Sequence, residues 1–204
     1  MKEMENDDCF VIGVGGSAGG AEAMFELFAK LPTDLNAAYV IVRHLKREFP
    51  TQMSSLLQRY TSMETIDIKG GEIVEAGKIY IMPANRKLII RKRSLYLKSR
   101  PRAEIINDAI NTFFISLGEE VKEKAVGIVL SGTGQDGIKG VKVIEDNGGI
   151  VIVQDPSDAR FHQLPQNTIH LDHPDHVVPV AAMPDIIRQR TGQRENRRQS
   201  NSSN

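Results

Sequence analysis

Residues 13–20 read Gly13-Val14-Gly15-Gly16-Ser17-Ala18-Gly19-Gly20, a single serine set among glycines. Gly15 to Gly19 fits Gly-x-Ser-x-Gly, where glycines permit a sharp turn that leaves the serine hydroxyl exposed near a helix N-terminus, placed to act as a nucleophile. Gly13 to Ala18 fits Gly-x-Gly-x-x-Gly/Ala equally well, a turn whose glycines let a pyrophosphate approach the backbone. A third reading is a tight strand-to-helix turn with no chemistry. The loop alone does not choose among the three.

Each chemistry makes a further demand. A dinucleotide site needs an acid at the end of the second strand, about 20 residues on, to bind the ribose hydroxyls. That segment ends Val42-Arg43-His44, and Asp34, although near the right separation, precedes the strand. Arg43 could still meet a 2′-phosphate, so this reading is weakened rather than removed. A nucleophilic serine needs a base that takes its proton near neutral pH and a carboxylate that orients the base. His44 and Asp136 follow the predicted carboxyl ends of two strands and Ser17 follows a third, on the sheet edge where ligands usually bind. A lone histidine there is more often a loop or core residue, and a lone aspartate in a glycine-rich turn more often caps a helix. The coincidence of all three is better evidence than any one.

The elements that must position these residues follow from apolar periodicity. Strand-length apolar runs at residues 9–14, 38–43, 125–130, 150–153 and 177–180 alternate with helix-like segments at 21–30, 51–60, 107–117 and 138–147, and a short helix begins near Pro184. Residues 125–130 are almost wholly apolar, as expected for a central parallel strand covered on both faces. Short strands at 64–68, 78–82, 87–91 and 95–98, punctuated by Gly70-Gly71 and Gly77, read as antiparallel hairpins. The fold expected is a mostly parallel, doubly wound, Rossmann-like α/β sheet flanked by helices. One domain over 8–190 is followed by a disordered polar tail over 191–204.

Composition excludes several classes. The chain has 204 residues, 40% hydrophobic and 25% charged, with 26 basic and 26 acidic side chains, so bulk charge points to neither nucleic acid nor membrane. One cysteine, Cys9, allows no internal disulfide and no cysteine cluster, and it reads as a small buried hydrophobe. No cationic apolar leader and no 18-residue apolar run occur, so a cytoplasmic protein without membrane insertion is expected.

The sequence resembles the catalytic domain of the CheB protein-glutamate methylesterases over roughly residues 10–188. The resemblance rests on Ile12-Gly13 through Ser17-Ala18-Gly19-Gly20, on His44, on Tyr80-Ile81-Met82-Pro83, and on the run from Ala125 through Leu130-Ser131-Gly132-Thr133-Gly134-Gln135-Asp136-Gly137. It implies a serine–histidine–aspartate triad at Ser17, His44 and Asp136. It also implies hydrolysis of glutamate methyl esters on chemoreceptors, deamidation of receptor glutamines, and no cofactor or metal. Backbone N–H groups of the Ser17-Ala18-Gly19 turn or of Thr133-Gly134 could form the oxyanion hole. The alternative is a non-catalytic signalling or nucleotide-binding module on the same fold.

Some positions depart from the family pattern. Ala18 stands where threonine often follows the nucleophile, Thr133 where methionine is common, and His162 at a position usually glycine. The N-terminal receiver domain of the full chemotaxis enzymes has no counterpart before the first strand, so constitutive activity or control by a separate chain is expected rather than phosphorylation in cis. His170, His173 and His176, with Asp172 and Asp175, invite a metal reading, but Pro174 breaks their spacing and a solvated loop is favoured. Eight basic residues and no acidic one lie from Arg86 to Arg102. They suit a charged edge hairpin that discourages aggregation, or a docking surface for a glutamate-rich receptor helix.

Overall fold

A computed structural model describes residues 9–43, 52–99 and 108–194. Seven strands form one parallel sheet in the order β3-β4-β2-β1-β7-β8-β9. They are β1 (Phe10–Gly16), β2 (Ala37–Arg43), β3 (Glu64–Asp67), β4 (Lys78–Ile81), β7 (Ala125–Val129), β8 (Ile150–Gln154) and β9 (His176–Val178). The helices are α1 (Gly20–Lys30), α2 (Met53–Leu57), α3 (Ala109–Val121), α4 (Ile138–Asp146), α5 (Gln163–Leu171) and α6 (Met183–Thr191). A separate antiparallel pair, β5 (Arg86–Arg91) and β6 (Ser94–Ser99), completes the list.

Alternation along the strands sorts the core into two layers. Ile12, Val14, Tyr39, Ile41, Val126 and Ile128 face the layer that holds α1, α2 and α6. Val11, Val40, Val129 and Val151 face α3, α4 and the β5–β6 hairpin. Each central strand is therefore buried on both faces, which is why residues 125–130 carry no polar side chain. β1 and β7 are neighbours, yet the chain leaves β1 toward one layer through α1 and leaves β7 toward the other through α4. That divergence opens a crevice at their carboxyl ends, the usual ligand site of an open α/β sheet.

The middle of the chain differs from the expected run of hairpins. β3 and β4 pair parallel, so both belong to the main sheet, and only β5 and β6 form a hairpin. The connecting residues 68–77 run out along β6, where Gly71 N–H donates to Leu95 O and Val74 N–H to Arg93 O, before returning to start β4. The glycines thus serve a crossover rather than a two-residue turn. Of the polar tail expected over 191–204, the first residues are packed. Thr191 closes α6, Gln193 bridges to Leu35, and the Arg194 guanidinium donates to Thr33 O at 2.6 Å and Ala76 O at 2.8 Å. Residues 195–204 lie outside the described residues.

Of the cluster expected to form a solvated loop, His170 lies in the last turn of α5, an element the sequence did not mark, and His176 opens β9, the strand expected over 177–180. Among the described residues no three His, Cys, Asp or Glu side chains gather in a group that could hold a metal ion, and no helix is long and apolar enough to cross a membrane. Cys9 is buried, and Arg93 donates to both its carbonyl oxygen and its sulfur.

Just after α5, Asp172 and Asp175 approach Glu145 of α4. Burial first, then the Asp172 carboxyl and the Asp175 charge, push the Glu145 carboxyl up to about 8 from 4.5. The folded chain therefore keeps a proton between those values that the unfolded chain has lost, so stability falls as pH rises across that window. Because the carboxyl is only partly buried and solvent screens its neighbours, the cost is discounted to about 1 kcal/mol. Glu145→Gln should raise the unfolding midpoint by about 2–4 °C at pH 8.5 and leave it unchanged at pH 4.5. Equal shifts at both pH values would contradict this.

Candidate active site

Ser17 is the first residue after β1, and Gly19, at φ 70°, takes the left-handed turn that starts α1. The turn is pinned to the loop after β7. Ser17 N–H donates to Ser131 O at 3.1 Å, and the Ser131 hydroxyl donates to Ala18 O at 2.9 Å. A methyl group added at Gly132 would stand 3.1 Å from Ser17 Cβ, so the two loops touch where only glycine fits. The segment after β8 closes the same corner. Gly132 N–H donates to Phe161 O, Phe161 N–H donates to Ser131 Oγ, and Leu164 N–H donates to Gly132 O. Buried Gln154 at the end of β8 accepts from Ser131 N–H at 2.8 Å and donates to Asp158 Oδ2 at 2.9 Å. Ser131, Gln154 and Asp158 thus brace the turn, and spacing gave no reason to single them out, since the bonds that tie Ser131 to Ala18, Phe161 and Gln154 cross between distant segments.

Asp136 lies in the loop between β7 and α4. Its two carboxylate oxygens accept from the N–H groups of Ile110 at 2.8 Å and Asn111 at 2.9 Å, in the first turn of α3. Asn111 returns the favour, its amide oxygen accepting from Gly137 and Gly140 N–H in the first turn of α4. Each helix start is capped by a side chain from the other, which satisfies N–H groups a helix cannot satisfy itself. The carboxylate is aimed by this clasp rather than by its own turn, and with about four acceptor positions it is not exhausted by two bonds. Asp136 therefore is a helix cap, as the bland reading had it, but of a helix remote in sequence and at the carboxyl edge of the sheet.

Arg43 ends β2 and pairs in register with Gly16. His44, the next residue, lies outside the described residues, as do residues 45–51. Ala18 and Gly19 are half-buried in the turn, whereas Thr133 and Gly134 are exposed, with Gly134 O accepting from the Asn167 amide at 2.7 Å. His162 is exposed at the N-cap of α5, two residues before Leu164, and beside Phe161, whose ring lies against Gly19.

The dinucleotide reading loses its footing here. Gly13 and Gly15 lie within β1, not in the turn, and a Cβ on them would stand 2.8 Å from Phe114 and 2.7 Å from Ile110 of α3. They are glycine because α3 packs onto the strand. Glu22 puts a carboxylate, paired with Arg160 at 3.1 Å, in the first turn of α1, the helix end that a pyrophosphate would need free of negative charge. Arg43 turns its guanidinium toward Met53 Sδ at 3.5 Å, on the α2 side.

With this geometry established, residues 12–187 match the family model described as CheB methylesterase. The chain belongs to the CheB methylesterase family. A Pyrococcus horikoshii relative named protein-glutamate methylesterase/protein-glutamine glutaminase is 26% identical over 180 residues, covering 86% of this chain and 49% of the relative. A Leptospira interrogans relative, named provisionally for the same activities, is 29% identical over 183 residues, covering 89% of this chain and 94% of the relative. The chain thus spans about half of the first CheB relative and nearly all of the second. The crystal structure of the Thermotoga maritima CheB methylesterase catalytic domain superposes with a TM-score of 0.81 at 23% identity, covering 89% of this chain and 98% of that one. That likeness is one of fold. It agrees with a seven-stranded parallel sheet flanked by helices beside a small antiparallel pair.

Proposed function

We propose that this CheB-family chain is a serine hydrolase of glutamate γ-methyl esters on a chemoreceptor-type signalling protein, with deamidation of receptor glutamines as a second activity, and that it works in the cytoplasm. The observation that carries the reading is the position of Ser17. Its hydroxyl, with no hydrogen bond to any described residue, stands at the N-terminus of α1 against the loop that leads to Asp136. A hydroxyl with no structural partner at the switch point of an α/β sheet is placed for attack rather than for support.

In this mechanism Ser17 Oγ attacks the ester carbonyl while His44 takes its proton, and Asp136 steadies the resulting imidazolium. The tetrahedral intermediate collapses, the imidazolium returns the proton to the leaving oxygen, and methanol departs. Water, deprotonated by His44, then attacks the acyl-serine, and as the bond to Ser17 Oγ breaks the imidazolium returns that proton to the serine oxygen, releasing the free glutamate side chain. With a glutamine substrate ammonia leaves instead. The N–H groups of Ala18 and Gly19 donate to no described acceptor and supply the oxyanion hole, with Thr133 and Gly134 bordering it, each donor contributing on the order of 3 kcal/mol. The helix dipole of α1 adds to the same stabilisation. No cofactor enters the scheme, and a separate chain would supply regulation.

Incubating the protein with a methylated receptor cytoplasmic fragment should release methanol, while titration with nicotinamide dinucleotides should give no saturable signal. Saturable dinucleotide binding without methanol release would overturn the proposal.

A further inference from the structure

Of the eight basic residues from Arg86 to Arg102, six fall among the described residues, and two of these six are committed to the fold. Lys87 pairs with Asp108 at 2.6 Å, and Arg93 is bound to Cys9. Arg86, Arg91, Lys92 and Lys98 are exposed, with no carboxylate among the described residues within ion-pair distance. Alternation turns Leu88, Ile90 and Leu95 inward, leaving Ile89 and Arg91 on the outer face of β5 and Tyr96 and Lys98 on that of β6. Ile89 and Tyr96 are opposite one another in register, and Tyr96 is 45% exposed. A groove of about 520 Å³ runs between this face and α3, with Ile89, Arg91, Lys98 and Ile115 among its walls.

The hairpin is oriented with respect to the site. Lys87, near the start of β5, meets Asp108 at the N-cap of α3, next to the turn that Asp136 caps. At the other end Lys92 N–H donates to Glu120 in the last turns of α3, and Arg93 reaches Cys9 before β1. The outer face therefore runs from the rim of the site down the depth of the sheet, roughly 20 Å for a six-residue strand, or about four turns of helix.

Both edges of the hairpin are engaged. On the β5 side Ile90 N–H donates to Ser116 Oγ and Lys92 N–H to Glu120, and on the β6 side Leu95 pairs with Gly71 and Glu72. A partner cannot add as a strand, and the edge is not the open one that residues 86–102 suggested. Among the described residues what stays available is an outer face on which Arg91, Lys92 and Lys98 surround the apolar pair Ile89 and Tyr96, the complement of an amphipathic acidic helix. Exposed Glu119 and Glu120 on the α3 wall confine the positive face to the hairpin side of the groove, and three cations there are few for duplex binding.

We propose that the outer face of the β5–β6 hairpin is a docking track for an acidic α-helix of the substrate protein, delivering its ester to Ser17. This rests on the hydrolase reading above. The test measures the affinity of a helical peptide of about 20 residues, with glutamates flanking a leucine stripe, for wild type and for the Arg91→Glu/Lys98→Glu double variant. Wild type should bind, weakening several-fold between about 50 and 300 mM salt, and the variant should bind about 10-fold or more weakly with little salt dependence. Turnover of N-acetyl-glutamate γ-methyl ester, too small to reach the track, should be equal in both proteins. Equal peptide affinity in the two proteins, or binding of a DNA duplex but not the peptide by wild type, would overturn the docking proposal. Failure of wild type to cleave the small ester would sink the hydrolase reading instead, and peptide affinity would still decide the track.

Discussion

Ser17→Ala should slow ester hydrolysis by about 10⁴-fold or more, with KM little changed and the thermal unfolding midpoint within about 2 °C of wild type. The two halves of this expectation have separate causes. The hydroxyl forms a bond to substrate only as the reaction proceeds, so its loss acts on kcat and not on binding. In the folded chain it has no hydrogen bond to any described residue, so its removal strands no partner. The turn itself is held by main-chain groups, Ser17 N–H to Ser131 O and Gly20 N–H to Ser17 O, which alanine keeps. Methanol release and circular dichroism on the same preparations check both halves. Undiminished release would mean that another group attacks the ester, and a large fall in the midpoint would mean that the hydroxyl has a structural task.

Gly118→Ala should lower the unfolding midpoint by about 2–8 °C, although helix propensity alone predicts a gain of about 1 kcal/mol. Gly118 lies where α3 crosses α4, and a Cβ there would stand 2.8 Å from the carbonyl carbon and oxygen of Val143 and from the nitrogen of Ile144. All three are backbone atoms, so no rotamer change relieves the overlap, and the helices must separate. Gly140 across the crossing is equally tight, its Cβ position colliding with Phe114. Overpacking of this kind costs about 2–3 kcal/mol, which outweighs the propensity term. Activity should fall with stability, because α3 and α4 together aim Asp136. A midpoint raised by a few degrees would show that the helices can yield.

The parallel core could be read from sequence because each of its strands is apolar on both faces, a pattern that hairpins seldom produce. Residues 68–77 misled because glycine pairs signal turns without saying whether the chain reverses beside itself or travels first along β6. α5 was hidden for a different reason. Pro165 sits in its first turn, where it costs nothing, but along a sequence it looks like a breaker. At the site, Ser17 and Asp136 were marked by residue type and by their place after strands. The Ser131, Gln154 and Asp158 network had no such mark, since polar residues near strand ends are common and only the folded chain brings these together. Gly13 and Gly15 carried the opposite lesson: glycines that looked like a phosphate cradle are there to admit Phe114 and Ile110.

The mutual capping of α3 and α4 makes Asp136 and Ser17 unequal witnesses to activity. A descendant of this chain that no longer needed to cleave anything would still unfold more readily on losing Asp136 or Asn111, so selection for a stable fold alone would keep them. Nothing comparable protects the Ser17 hydroxyl. Among decaying copies of this domain the serine should drift first while the aspartate endures, and a retained serine says more about living chemistry than a retained aspartate does.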